Sequence, residues 1–206
     1  MSLFVTPRFS DGLGNRLFQY AASLGFARKW NIPLMFNRDF CEPSDHGEPT
    51  LIFSLFPSVP FVENFDPDSY KVLSHSEDLL YTYFDVPEPT APMLLTSYWQ
   101  SPRYFESERI TPDWKNVLGS EMDEIASKAN LDTHNKQLRT WMIHFRHGDY
   151  DTLDHHQENY NGYYQKCIYT IPKGSRLHVF SDEPEKCFDT VEYMTEGRDI
   201  QLTWSK

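Results

Sequence analysis

Residues 3–36 read LFVTPRFSDGLGNRLFQYAASLGFARKWNIPLMF, and the order of textures along them decides the fold class. Residues 3–5 form a short β-rich run and residues 10–15 a glycine-containing turn. Residues 16–30 then carry Leu17, Ala21, Leu24 and Ala27 at helical spacing. Asn31 breaks that helix and residues 32–36 are apolar again, so the stretch predicts a βαβ unit with a right-handed crossover and parallel strands.

The same grammar returns from Leu138 onward. LRTWMIHF predicts a strand that runs directly into Arg146-His147-Gly148-Asp149. Residues 161–171 predict a helix stopped by Pro172 and Gly174, and residues 176–180 a strand ending at Ser181-Asp182-Glu183. A short helix over 183–188 and a third strand over 190–194 complete the block. Between the two blocks, residues 41–92 are rich in proline and predict irregular structure. Residues 91–99 read as a buried strand, 113–129 as an amphipathic helix and 130–137 as a polar linker. The expected fold class is therefore α/β, with two Rossmann-type lobes over residues 1–137 and 138–206.

Composition narrows the function classes. Nineteen basic against 30 acidic residues give a net charge of -11, which opposes a broad electrostatic grip on nucleic acid or anionic lipid. The sequence shows neither a signal peptide nor a membrane span, and three dispersed cysteines (Cys41, Cys167, Cys187) spell no disulfide framework, so a reducing, cytoplasmic setting is expected.

In parallel α/β sheets, ligands collect beyond the carboxyl ends of strands, where loops converge and helix amino termini present N–H groups. Three loops qualify. The first, Asp11 to Asn15, offers Gly12 and Gly14 for close backbone approach to an anion, or else forms a plain strand-to-helix turn. It is neither a GxGxxG fingerprint nor a P-loop. In the second, His144 and Arg146 share a strand face where an apolar strand stops, so Arg146 can fork onto a diphosphate. The other reading there is an Arg146–Asp149 turn salt bridge, with His144 as a satisfied core histidine. The third is Ser181-Asp182. Asp66-Pro67-Asp68 matches a metal-holding DxD pattern but reads better as a turn. Asp154-His155-His156 lacks HExxH-type spacing, so no metal is expected.

Taken together, GLGNRLFQYAASLGFARKWNIPL (12–34), TSYWQSPRYF (96–105), WMIHFRHGDY (141–150), GYYQKCIYTI (162–171) and LHVFSDEPEKC (177–187) resemble, in order and spacing, family 11 glycosyltransferases of the α-1,2-fucosyltransferase type. The resemblance implies a GT-B-like arrangement, with GDP-fucose bound mainly by the second lobe and inverting, metal-independent transfer of fucose to a galactoside hydroxyl of an oligosaccharide acceptor. It places the family's HxRRxD block on His144, Arg146, His147 and Asp149, with Arg146 as pyrophosphate ligand and His144 near the nucleotide. Gly12, Gly14 and Asn15 would close over phosphates or fucose, and Asp182 would hold guanine. Asp11 and Asp149 remain alternative general bases. Two departures stand out: His147 replaces the second Arg, and Arg16 stands where the family usually has Gln. The sequence given ends at Lys206, before the family's NSxFSWW block. The expectations are thus an incomplete second lobe, a homo-oligomer that completes it, or a non-catalytic nucleotide-sugar or glycan-binding remnant.

Overall fold

The computed structural model describes residues 2–44, 47–63, 66–76, 79, 81–121, 139–147 and 160–205. The chain divides into two compact units, Met1–Leu118 and Gly119–Lys206. The expected lobe boundary at 137/138 lies outside the described residues.

The first unit is built on three short parallel strands, β1 (Val5–Pro7), β2 (Lys71–Leu73) and β3 (Met93–Leu95), in the order β1-β3-β2. The helix α1 (Leu13–Lys29) follows β1. Its Ala22, Phe26 and Ala27 pack on Val5, Met93 and Leu95. Small residues let the helix lie close, and Gly25 shows how close. A Cβ at Gly25 would collide with the carbonyl oxygen of Tyr104. A second cluster gathers Phe9, Tyr20, Phe36, Phe53 and Phe56 beside the short helix α2 (Leu51–Leu55). These aromatic rings fill core rather than offering a ligand platform. The remaining helix, α3 (Trp114–Leu118), starts within the helix expected over 113–129, of which residues 122–129 lie outside the described residues.

Two details of this unit differ from expectation. The strand expected over 32–36 is reduced to bridges, Leu34 to Val5 and Phe36 to Phe61. Val5 N–H bonds the Pro33 carbonyl and Met35 N–H returns to Val5, after which Phe36 turns to a different partner. The region read as irregular also supplies β2, only three residues long and visible only through its pairing with β3.

The second unit is a βαβαβ run. Strands β4 (Thr140–Phe145), β5 (Arg176–Ser181) and β6 (Gln201–Ser205) lie parallel in the order β4-β5-β6, linked by α4 (Tyr160–Thr170) and α5 (Phe188–Thr195). Alternation sets the faces. Phe145, Leu177 and Val179 are buried against Ile168, Val191 and Met194, with Leu202 and Trp204 packed on the same cluster.

One expectation fails here. The strand expected over 190–194 is part of α5, and the third strand is β6. Cys187, Val191, Met194 and Thr195 are buried at spacings of three and four, which is a helix face, and Thr195 Oγ1 bonds back to the Val191 carbonyl at 2.8 Å. The short helix expected over 183–188 is a single 3₁₀ turn, Pro184–Lys186. The α/β class with parallel sheets in two Rossmann-type units holds throughout.

Candidate functional site

In the second unit, the strand ends meet at His144–His147 and Asp182. Side chains along β4 alternate as the sequence suggests: Phe145 is buried, whereas Met142 and His144 are exposed. His144 lines a groove of about 760 Å³ along β4 and α4, together with Trp141, Tyr163, Tyr164, Lys166 and Cys167. Tyr164 stacks on Phe145 and donates its hydroxyl hydrogen to the His144 carbonyl at 2.9 Å, fixing the strand where it leaves the sheet.

Two residues past that point, the His147 N–H donates to Oδ1 of Asp182 at 2.9 Å. The Asp182 carboxyl lies below its ordinary pKa. Partial burial opposes this shift, but the bonds from the His147 and Asp182 N–H groups, with the charges of Arg146 and His147, outweigh it. Asp182 is therefore an anion tied to the loop that carries Arg146. The turn after it is also pinned: the Glu183 N–H bonds Ser181 Oγ at 3.1 Å, and the Cys187 thiol donates to the same oxygen at 3.4 Å. Asp149, paired with Arg146 in the sequence reading, lies outside the described residues, as do Asp154, His155 and His156.

In the first unit, three strand-end loops lie side by side. After β1, Asp11 has φ +59° and Gly12 is the N-cap of α1 with φ -71°. The left-handed residue is thus Asp11, and neither Gly12 nor Gly14 needs positive φ. A Cβ on Gly14 would meet nothing within 4 Å, so its small size leaves open space at the helix start. No side chain caps α1, and Asn15 sits inside the helix.

The loop after β3 holds this turn in place. Tyr98 donates its hydroxyl hydrogen to the Asp11 carboxylate, and Gln100 Nε2 donates to Asn15 Oδ1 at 2.8 Å. Gln19, 1 % exposed, accepts from the Ser10 N–H at 3.1 Å and donates to Ser10 Oγ at 3.0 Å and the Ser97 carbonyl at 3.3 Å. Ser97 and Trp99 both have positive φ, at +80° and +55°, a conformation that costs a non-glycine residue roughly 1–2 kcal/mol. Sequence reading missed Tyr98, Gln100 and Gln19 because their partners lie far away in sequence.

Arg16 has a different role from a ligand contact. It is 2 % exposed, and its guanidinium donates to the carbonyls of Asp11 (2.7 Å), Pro49 (2.7 Å) and Glu42 (2.8 Å) and to Cys41 Sγ (3.0 Å). It ties the irregular 41–49 segment to the start of α1. The Cys41 thiol donates to Pro49 O at 3.2 Å, and burial pushes its pKa up against the lowering effect of Arg16.

The DxD pattern is a turn: Asp66 Oδ1 accepts from the Asp68 N–H at 3.0 Å, and Ser69 Oγ donates to the Asp66 carbonyl at 2.5 Å. Among the described residues, no three His, Cys, Asp or Glu side chains gather as a metal site, and no helix is long and apolar enough to cross a membrane.

No protein-family model and no curated protein matches the chain. Among solved structures it is similar to NodZ alpha-1,6-fucosyltransferase soaked with GDP-fucose, at 14% identity and a TM-score of 0.46, over 100% of this chain and 79% of that one. It is also similar to fucosyltransferase NodZ from Bradyrhizobium and to NodZ co-crystallized with GDP, each at 12% identity and TM-score 0.46, over 98% of this chain and 78% of the other.

Proposed function

We propose that this chain transfers L-fucose from GDP-fucose to a hydroxyl of a galactoside glycan, with inversion and without a metal, as an α-1,2-fucosyltransferase of family 11. The observation that carries the reading is Arg146 just beyond the end of β4, on a loop whose next N–H is anchored to Asp182 beyond the end of β5. That is where a parallel α/β unit receives ligands. The resemblance of the five sequence blocks to family 11 supports this chemistry.

In this reaction the acceptor oxygen forms a bond to the anomeric carbon of fucose as the bond to the β-phosphate oxygen breaks. The electron pair leaves with GDP, and the acceptor's proton passes to a carboxylate base, Asp11 or Asp149. The barrier depends on the charge growing on the departing diphosphate, and Arg146 bears it through a guanidinium that stays ionised at working pH. His147 stands where the family has its second Arg. His144 contacts the nucleotide, and Gly12, Gly14 and Asn15 present the free amides of α1 to the donor. Asp182 bonds guanine through its second oxygen while the first holds the loop.

Incubation with labelled GDP-fucose and a panel of galactosides tests this reading. Labelled disaccharide with the fucose on O2 of galactose is the expected product. Binding without transfer or hydrolysis overturns it in favour of a nucleotide-sugar-binding protein.

A further inference from the structure

His75 is a buried titratable group that the chemistry above does not use. It lies two residues past the end of β2 and is 8% exposed. Its ring stands edge-on to Trp99, with centroids 4.0 Å apart and planes at 88°, while Phe84 and Tyr104 lie at 5.0 and 6.2 Å. Nδ1 bonds the Leu79 carbonyl at 3.2 Å. A carbonyl can only accept, so Nδ1 carries the hydrogen and Nε2 keeps a lone pair. Nε2 is buried and has no hydrogen-bond partner. Among the described residues, a proton added there has no acceptor to meet.

Trp99 links this ring to the donor-facing turn. It is fully buried, holds φ at +55°, and donates Nε1–H to the Thr96 carbonyl at 2.7 Å. The residues on either side of it, Tyr98 and Gln100, are those bonded to Asp11 and Asn15. The loops after β2, β3 and β1 thus form a relay across one sheet edge, with His75 at its far end.

We propose that His75 is a positioning residue: its neutral ring seats Trp99 and keeps the 96–100 loop on the Gly12–Asn15 turn, and its protonation releases that loop. The consequence for the donor rests on the function proposed above. Burial lowers the His75 pKa, partly offset by the Leu79 bond, so the ring is neutral near pH 7. Tyr104 is the titratable group in ring contact, and around it stand Arg103, Asp85 and Tyr83. Glu77 and Asp78 lie outside the described residues.

The test follows tryptophan emission and GDP-fucose affinity of the full chain from about pH 7.5 down to about 4.5, a range that reaches well below ordinary histidine titration. Two variants are compared: His75→Phe keeps a ring without a titrating nitrogen, and His75→Asn keeps a donor for Leu79. In the wild type, the emission shifts with a midpoint below the ordinary histidine value, and affinity falls about fivefold more than in His75→Phe over the same range. Both variants lose the emission shift; if His75→Phe does not fold, His75→Asn alone gives this reading. An emission shift and affinity ratio unchanged in the variants, or no shift in the wild type, overturns the proposal. Loss of the shift in the variants without GDP-fucose binding at any pH supports the relay and overturns the nucleotide reading instead.

Discussion

The His147 N–H and the Asp182 carboxylate, 35 residues apart in sequence, are joined at 2.9 Å, which ties the residues just past β4 to the residue just past β5. The contact proposed between Arg146 and a diphosphate needs a backbone that does not drift. This bond supplies that restraint one residue beyond Arg146.

Substitutions at Asp182 separate its two proposed jobs. Asp182→Asn keeps an acceptor for the His147 N–H but loses the charge and the second acceptor that guanine's N1–H and N2–H₂ require. Asp182→Ala loses both. Titration with GDP and inosine diphosphate is expected to show the wild type favouring GDP, Asp182→Asn binding both comparably, and Asp182→Ala binding both weakly. Each lost hydrogen bond to the carboxylate is worth about 1.5–3 kcal/mol.

Arg16→Met tests the buried cation. The substitution fills similar space but leaves the carbonyls of Asp11 and Glu42 without the guanidinium's hydrogen bonds, and Pro49 O with the Cys41 thiol in its place. Each buried carbonyl left unsatisfied costs about 1–3 kcal/mol, so urea unfolding should show a large loss of stability. A midpoint unchanged from the wild type would mean water replaces the guanidinium without cost.

Gly25→Ala places a methyl group on the Tyr104 carbonyl. The obstacle is backbone at both ends, so α1 must shift away from the Pro102–Tyr104 turn. Overpacking of this kind costs about 1–3 kcal/mol, against the gain in helix propensity that Ala brings elsewhere. Thermal unfolding of Gly25→Ala beside Gly14→Ala checks the contrast, since Gly14 faces open space.

Acid should destabilise the fold through its buried histidines. His75 and His178 both have lowered pKa values, caused first by burial. His178 is fully buried, with Nδ1 2.7 Å from Thr203 Oγ1. A folded-state pKa below the unfolded value means that the unfolded chain binds more protons as pH falls through about 6.5, so stability drops on the acid side. Urea midpoints measured across that range should fall with pH, and less steeply in His75→Phe.

Much of this architecture was legible in local pattern. The 3–36 segment announced β1 and α1, and LRTWMIHF announced β4, because burial of alternate or every third-to-fourth residue leaves a period in the sequence. His144 on the exposed face opposite Phe145 followed from the same alternation. Structure set by distant partners left no such trace: β2 exists through β3, and Tyr98 and Gln100 matter through Asp11 and Asn15. The strand expected over 190–194 failed because TVEYM suits a strand by propensity, while its buried positions, read together with Cys187, follow a helix. Arg16 shows the same limit. In the sequence it stood out as a departure from the family's usual Gln, and its structural tie to distant carbonyls left no local trace.

Calorimetric titration of GDP into the wild-type chain and Arg146→Ala addresses the central assignment most directly. The wild type should bind GDP well above UDP, and Arg146→Ala should lose about 1.5–3 kcal/mol of GDP binding, or roughly one to two decades, with Arg146→Lys recovering little of it. Equal GDP affinity in wild type and Arg146→Ala would contradict the account.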